Sequence, residues 1–205
     1  YEQGKAYGTL LRSRAMAVLL ALASGCRRGE VLGLSWGNVD LSASTVKITQ
    51  QITHDGGLSV PKTKQSKRTI TLDTGTVKRL KAWKVKQAEF LLSLGIGQGK
   101  ATPVISNEIG GWQEPNGFSR WWRQFCASNG FEGLKFHALR HTHATLLISR
   151  NVDIKTVQGR LGHTKAGTTL DIYASIMPAK DKEAARVVGS ILAAPAPIQG
   201  EVVNL

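Results

Sequence analysis

"FHALRHTHATLL", residues 136–147, is the stretch from which the rest of the chain can be read. Its apolar and polar residues recur with helical rather than strand spacing, so residues 137–150 are expected to form a helix. On such a helix His137 and Arg140 stand at i and i+3, share a face and can touch the same ligand. His141 and His143 fall on other faces. Downstream, Asn151, Val152 and Asp153 break the helix before "IKTVQGRLG" (154–162) starts another, which Gly162 ends. His163 then opens a loop into a further helical stretch, 164–176, and Tyr173 lies ten residues beyond it.

Upstream, "TLLRSRAMAVLLALAS" (9–24) reads as a buried Leu/Ala-rich helix stopped by Gly25, and "RRGEVLGLSW" (27–36) as a short second helix. "STVKITQQI" (44–52) alternates as a half-buried strand does. "LSVPKTKQSKRTITL" (58–72) reads as two short strands about a Lys-rich turn, so residues 45–72 are expected to form a small antiparallel sheet. Helical spacing returns over 74–94, with Val77, Leu80, Trp83, Leu91 and Leu92 on the apolar positions. "GIGQGKATP" (95–103) is a loop, and "NGFSRWWRQFCASNG" (116–130) is a helix carrying both Trp and Arg. The tail from Ala193, with two prolines and little charge, reads as an extended arm. The fold class expected is mainly α with a small antiparallel β-sheet.

Of 205 residues, 41% are hydrophobic, enough for a packed core. The 27 Lys and Arg against 14 Asp and Glu leave a net charge of +13, a surplus that points to a polyanionic partner, most simply a nucleic-acid backbone. Cys26 and Cys126 lie far apart in no metal-type spacing and read as reduced, part-buried residues of a cytosolic protein. No apolar run is expected to reach transmembrane length, and no signal peptide is recognisable. The chain starts at Tyr1 without methionine, so an excised domain is expected.

Four segments can carry chemistry. In "SGCRRGEVLGLSW" (24–36), Arg27 lies at a break between helices, and Glu30 three residues on can orient it; alone, the pair would read as a surface salt bridge. In "PKTKQSKRTI" (61–70), most lysines read as solvated phosphate contacts, with one available to face a reacting atom. The three histidines of the 136–147 stretch, together with His163, invite a zinc reading. That spacing lacks the two-His-plus-carboxylate logic of hydrolytic zinc helices, and Arg140 would repel the cation. In "LGHTKAGTTLDIYASI" (161–176), His163 alone reads as a cap and Tyr173 alone as core.

Together these residues say more than they do singly. Two arginines, a lysine, two histidines and a tyrosine are the parts of a metal-free phosphoryl transfer. The phosphorane carries extra negative charge on its non-bridging oxygens, which forked, permanently charged guanidinium groups meet well. No paired carboxylates are evident to hold Mg²⁺. Tyrosine keeps its proton until about pH 10, so as a nucleophile it needs such cations around it.

In order and spacing, Arg27, Lys62, His137, Arg140, His163 and Tyr173 resemble the tyrosine recombinases, most of all the integrases of phages and conjugative transposons. The resemblance runs from about residue 9 to residue 176. It implies that Tyr173 attacks a DNA phosphodiester, forming a 3′-phosphotyrosyl link and releasing a 5′-hydroxyl. Arg27 and Arg140 would clamp the phosphate and His163 would hydrogen-bond it. His137 would assist proton transfer from the tyrosine, Lys62 would protonate the leaving oxygen, and Glu30 would buttress Arg27. Lys64, Lys67 and Arg68 on the hairpin, with Arg120 and Arg123 on the Trp/Arg helix, are expected to contact DNA. The sequence departs from the family at Cys26, where leucine is usual. Lys64 competes with Lys62 as general acid, and the Pro-Lys-Thr context favours Lys62.

The likeness further implies a catalytic domain over 1–178 that lacks the N-terminal core-binding domain of such proteins. A C-terminal helix and tail over 179–205 would dock onto a neighbouring protomer. It implies no cofactor, metal or ATP. The partners would be double-stranded DNA attachment sites bound by a homotetramer, with a directionality factor or a host DNA-bending protein, in the bacterial cytoplasm and away from membranes. Two other readings stand beside it: a type IB topoisomerase-like enzyme, which would relax supercoils as a monomer, and a non-catalytic basic DNA-binding module.

Overall fold

The structure, a computed structural model, describes residues 2–60, 66–163, 167 and 185–190. The described residues are mostly helical, with a three-stranded sheet and a two-stranded ribbon among them. Helix α1 (Glu2–Ser24) is followed by the short α2 (Arg28–Leu32) and a 3₁₀ turn (Trp36–Asn38). Strands β1 (Val39–Asp40), β2 (Thr45–Ile48), β3 (Gln51–Ile52), β4 (Leu58–Ser59) and β5 (Arg68–Thr71) come next. Helices α3 (Thr74–Ser93), α4 (Pro115–Ser128), α5 (Ala138–Ser149) and α6 (Ile154–Leu161) follow, and residues 185–190 are also helical. The expected mainly helical fold with an antiparallel sheet is what is found.

Helix α1 is built from Leu and Ala, strong helix formers, and packs on α3 and α5. Its Ala6–Ser24 segment, 19 residues with mean hydropathy 1.2, is long and apolar enough to cross a membrane, contrary to the expectation that no run would qualify. Arg12 and Arg14 break the apolar run in the sequence without bringing its average below that level. One side of the helix nevertheless belongs to the core: Ser13, Ala17, Leu20, Ala21 and Ser24 are buried, and the Ser13 hydroxyl donates to the Ser106 carbonyl at 2.8 Å.

The sheet differs from the single sheet expected over 45–72. Strand β2 lies between β1 and β5, pairing Val46 with Ile70 and Ile48 with Arg68. The continuous strand expected over 44–52 divides instead, and among the described residues β3 pairs with β4 in a separate two-stranded ribbon. The two strands flanking the Lys-rich turn therefore have different partners. Helix α2 lies against β3 so closely that glycine is required: a Cβ on Gly29 would come 2.5 Å from the Ile52 carbonyl oxygen.

Helix α3 begins at Asp73, whose carboxylate accepts from Thr76 N at 2.9 Å. It buries Val77, Leu80, Trp83, Phe90 and Leu91, whereas Leu92, expected in the core, is 68% exposed, one helical step too far round. Helix α4 starts with Pro115 in its first turn, capped by Glu114. Its Phe118 and Trp122 pack edge-on against Phe136, and Trp122 Nε1 donates to the Leu134 carbonyl at 2.9 Å. That cluster fixes the loop leading into α5. Ala144, Ile148, Val157 and Leu161 hold α5 and α6 together in a second small core.

Candidate active site

The site forms where α1 ends. Gly25 adopts φ +68°, a conformation that L side chains rarely take, and its Cβ would sit 2.6 Å from the His143 ring. The turn presents Arg27 as the N-cap of α2. The carbonyl of Gly25 accepts from Arg140 Nη1 at 2.7 Å, so a residue near the start of α5 is tied to the same turn. Arg140 is buried, and its Nη2 finds no hydrogen-bond partner among the described residues.

Glu30 is 1% exposed and organises the arginines. Its Oε1 accepts from Arg27 Nη1 at 3.0 Å and its Oε2 from the Arg27 backbone N–H at 2.8 Å. Burial alone would raise this carboxyl, but hydrogen bonds and charge from Arg68, with further help from Arg27, hold it below the usual carboxylate range. The pair is therefore buried at its Glu30 end, while the Arg27 side chain stays 38% exposed and open to a ligand. Arg27 Nη2 also approaches the carbonyl of Gly162, at 3.4 Å, where α6 ends in a left-handed cap.

His137 and His163 complete the cluster. His163 follows that cap and is anchored by its backbone N–H to the Gln158 carbonyl at 3.2 Å. Burial, with the charges of Arg140 and Arg27, pulls its imidazole down to about 4. His137 precedes α5, with its ring 5.0 Å from that of His141. Partial desolvation and the neighbouring His141, Arg140 and Arg27 lower it as well. Burial and the charge of Arg27 bring Arg140 down to about 10, so it is still cationic at neutral pH. Near pH 7 the described residues of the site therefore include arginine guanidiniums, the Glu30 carboxylate and the neutral imidazoles of His137 and His163. Such a set can grip a phosphate and exchange a proton beside it.

Of the residues singled out from sequence, Arg27, Glu30, His137, Arg140 and His163 come together here. Tyr173, Lys62 and Lys64 lie outside the described residues. Lys67, Arg120 and Arg123 are exposed, and Arg123 lines a cleft of about 1180 Å³ that also borders Arg27 and His137. Arg68 does not fit its expected place as a DNA contact. Its side chain is 7% exposed, and all three guanidinium nitrogens donate to protein groups. No sequence signal marked it as the partner of Glu30, 38 residues away.

His143 is a second unforeseen element. Its Nδ1 meets the Leu22 carbonyl at 2.7 Å and its Nε2 accepts from Arg160 Nε at 3.1 Å. Both ring nitrogens are occupied in holding α1, α5 and α6 together.

Residues 6–180 match the model of the phage integrase family. The ICEBs1 integrase of Bacillus subtilis is 31% identical over 176 residues, 84% of this chain and 48% of that protein. A tyrosine recombinase XerC-like protein of Caldanaerobacter subterraneus is 28% identical over 188 residues. Among solved structures, the Tn1549 transposon integrase in complex with transposon right end DNA superposes with a TM-score of 0.70, at 18% identity over 88% of this chain and 59% of that one. The XerA recombinase does so with a TM-score of 0.60 at 21% identity, over 94% of this chain and 62% of that one. The fold and the cationic cluster define a domain of the tyrosine-recombinase class. The chain belongs to the phage integrase family, and it spans about half the length of the curated relatives it matches.

Proposed function

We propose that this chain is the catalytic part of a site-specific DNA recombinase, and that Tyr173 is its nucleophile. The observation that carries the reading is the convergence of Arg27, Arg140, His137 and His163, with Arg140 Nη2 buried and unpartnered among the described residues. A buried cationic N–H without an acceptor is costly, and a phosphate oxygen meets that need with a charge-assisted bond.

In this reading Arg27 and Arg140 hold the two non-bridging oxygens of a scissile phosphate. The Tyr173 oxygen bonds to phosphorus while its proton passes to neutral His137. The bond from phosphorus to the 5′-oxygen breaks, and Lys62 supplies the proton that the departing oxygen takes up. His163 donates a hydrogen bond to the phosphorane. Attack of a 5′-hydroxyl on the phosphotyrosine reverses the sequence and rejoins strands, without metal or ATP. Lys64, Lys67, Arg120 and Arg123 grip flanking DNA. The domain spans 1–178, and the segment 179–205 docks on a neighbouring copy within a tetramer on attachment-site DNA. A directionality factor or DNA-bending protein sets the outcome of the reaction, which takes place in the bacterial cytoplasm.

A nicked substrate that loses its short 5′ fragment on cleavage traps the covalent intermediate. The chain should form a protein–DNA adduct resistant to denaturation, in excess EDTA, and Tyr173→Phe should form none while binding DNA nearly as well. Binding without any adduct would leave a non-catalytic DNA-binding module. Relaxation of supercoils by the monomer would favour the topoisomerase-like reading.

A further inference from the structure

We propose that Arg68 is a positioning residue for the phosphate site, acting through Glu30 and the end of α6 to set Arg27 and His163; the proposal rests on the recombinase reading above. Arg68 Nη1 donates to Glu30 Oε1 at 3.0 Å and Nη2 to Oε2 at 2.8 Å, a two-pronged pair in which both planes are fixed. Its Nε donates to the Arg160 carbonyl at 2.7 Å, in the last turn of α6, just before Gly162 and His163. Further bonds run from Nη1 to the Ser66 carbonyl at 3.1 Å and from Nη2 to Cys26 Sγ at 3.6 Å. One side chain on β5 thus spans the turn before Arg27, the carboxylate that holds Arg27 and the helix end that presents His163.

The charge balance shows why a second arginine matters. Glu30 faces both Arg27 and Arg68, so the three groups sum to one positive charge. Without Arg68 the carboxylate would face Arg27 alone. Arg27 could then close a two-pronged pair of its own, its charge neutralised and its fork turned away from a phosphate. Arg68 occupies that face of Glu30 and leaves Arg27 bound to the carboxylate through a single guanidinium nitrogen. Being buried, Arg68 does this without touching DNA.

The test uses the full chain on the nicked substrate at saturating DNA, with Arg68→Lys and Arg68→Met. A misplacement of about 1 Å in a positioned group costs on the order of 10²-fold in rate, and adduct formation should fall by about that factor in Arg68→Met. Affinity and its salt dependence should stay as in the unsubstituted chain, because a buried arginine releases no counterion. A substrate with a methyl group in place of one non-bridging oxygen carries no negative charge at the scissile phosphate. It should rescue Arg68→Met in parallel with Arg27→Ala, and a purely structural defect would not respond. In a Glu30→Gln background, Arg68→Met should add little further loss.

Weaker binding with a salt slope reduced by about 1, and an unchanged rate at saturation, would make Arg68 a DNA contact and overturn the proposal. So would wild-type rates in both variants, a loss that the methyl-substituted phosphate leaves untouched, or failure of both variants to fold. No adduct from the unsubstituted chain would sink the recombinase reading and this proposal with it. An active parent with indifferent Arg68 variants would sink this proposal alone.

Discussion

Arg160 donates through Nε to Nε2 of His143 at 3.1 Å, while the opposite nitrogen of that ring meets the Leu22 carbonyl at 2.7 Å. The carbonyl can only accept, so the proton sits on Nδ1 and the ring is neutral. Arg160 Nη2 continues to the carbonyls of Ala23 and Thr71, each at 2.9 Å. This polar clamp joins the end of α1, the end of β5, α5 and α6 directly behind the cationic cluster.

Burial and the adjacent arginines lower the His143 imidazole, and His163 is held at about 4, so for both groups the unfolded chain binds protons more readily than the native one. Stability should then be fully present above the ordinary histidine value of about 6.5 and fall as pH drops below it. Urea titrations at pH 7.5 and pH 5 check this. His143→Ala should cost about 1–3 kcal/mol at pH 7.5, because Arg160 Nε and the Leu22 carbonyl lose their partner, and it should flatten the acid slope. A variant as stable as the parent at pH 7.5 would show that the clamp contributes nothing.

Gly25→Ala meets two obstacles, a positive φ and the His143 and Leu161 side chains at 2.6 and 2.7 Å. It should destabilise the chain by more than about 1 kcal/mol. The turn also carries the carbonyl that Arg140 grips, so adduct formation should fall even at temperatures where the variant is folded. A variant with normal stability and normal cleavage would mean that the turn does not set Arg140.

Lys62 and Lys64 are separated by the leaving group. Loss of a general acid should slow cleavage by about 10²–10⁴-fold when an alkoxide must depart. A 5′-bridging sulfur leaves as a thiolate, since a thiol is acidic at about pH 8.5, and needs no such acid. That substrate should restore cleavage in Lys62→Ala and do little for Arg140→Ala, whose defect is charge on the non-bridging oxygens. Rescue of Lys64→Ala instead would move the role to Lys64. Normal rates in both variants would reduce the hairpin to a phosphate-gripping loop.

The helices were legible because their signals are local: the Leu/Ala run ending at Gly25, the apolar spacing from Val77 to Leu91, the break at Asn151–Asp153. The division of 44–52 was not. Val46, Ile48 and Ile52 keep one alternating register across it, and periodicity carries no information about which strand each half will pair with. Strand β1, two residues long, has no pattern to read. In the site, Arg27, Glu30, His137, Arg140 and His163 could be named from motif spacing, and they do converge. Arg68 could not be placed, because one more arginine in a basic hairpin looks solvent-facing until Glu30 is seen behind it. Arg160 and His143 were hidden for a similar reason, since their bond crosses between two helices.

The central claim, that the cationic cluster serves a tyrosine nucleophile at position 173, is tested most directly by locating the covalent bond. The trapped adduct should be digested with protease and nuclease, and the nucleotide-bearing peptide sequenced by mass spectrometry. The chain holds three tyrosines, Tyr1, Tyr7 and Tyr173, so the answer is discrete. The account predicts one modified peptide, with Tyr173 carrying a 3′-linked phosphate and a free 5′-hydroxyl on the released strand. A nucleotide on Tyr7 or on a histidine, or a 5′-linked phosphate on Tyr173, would contradict it.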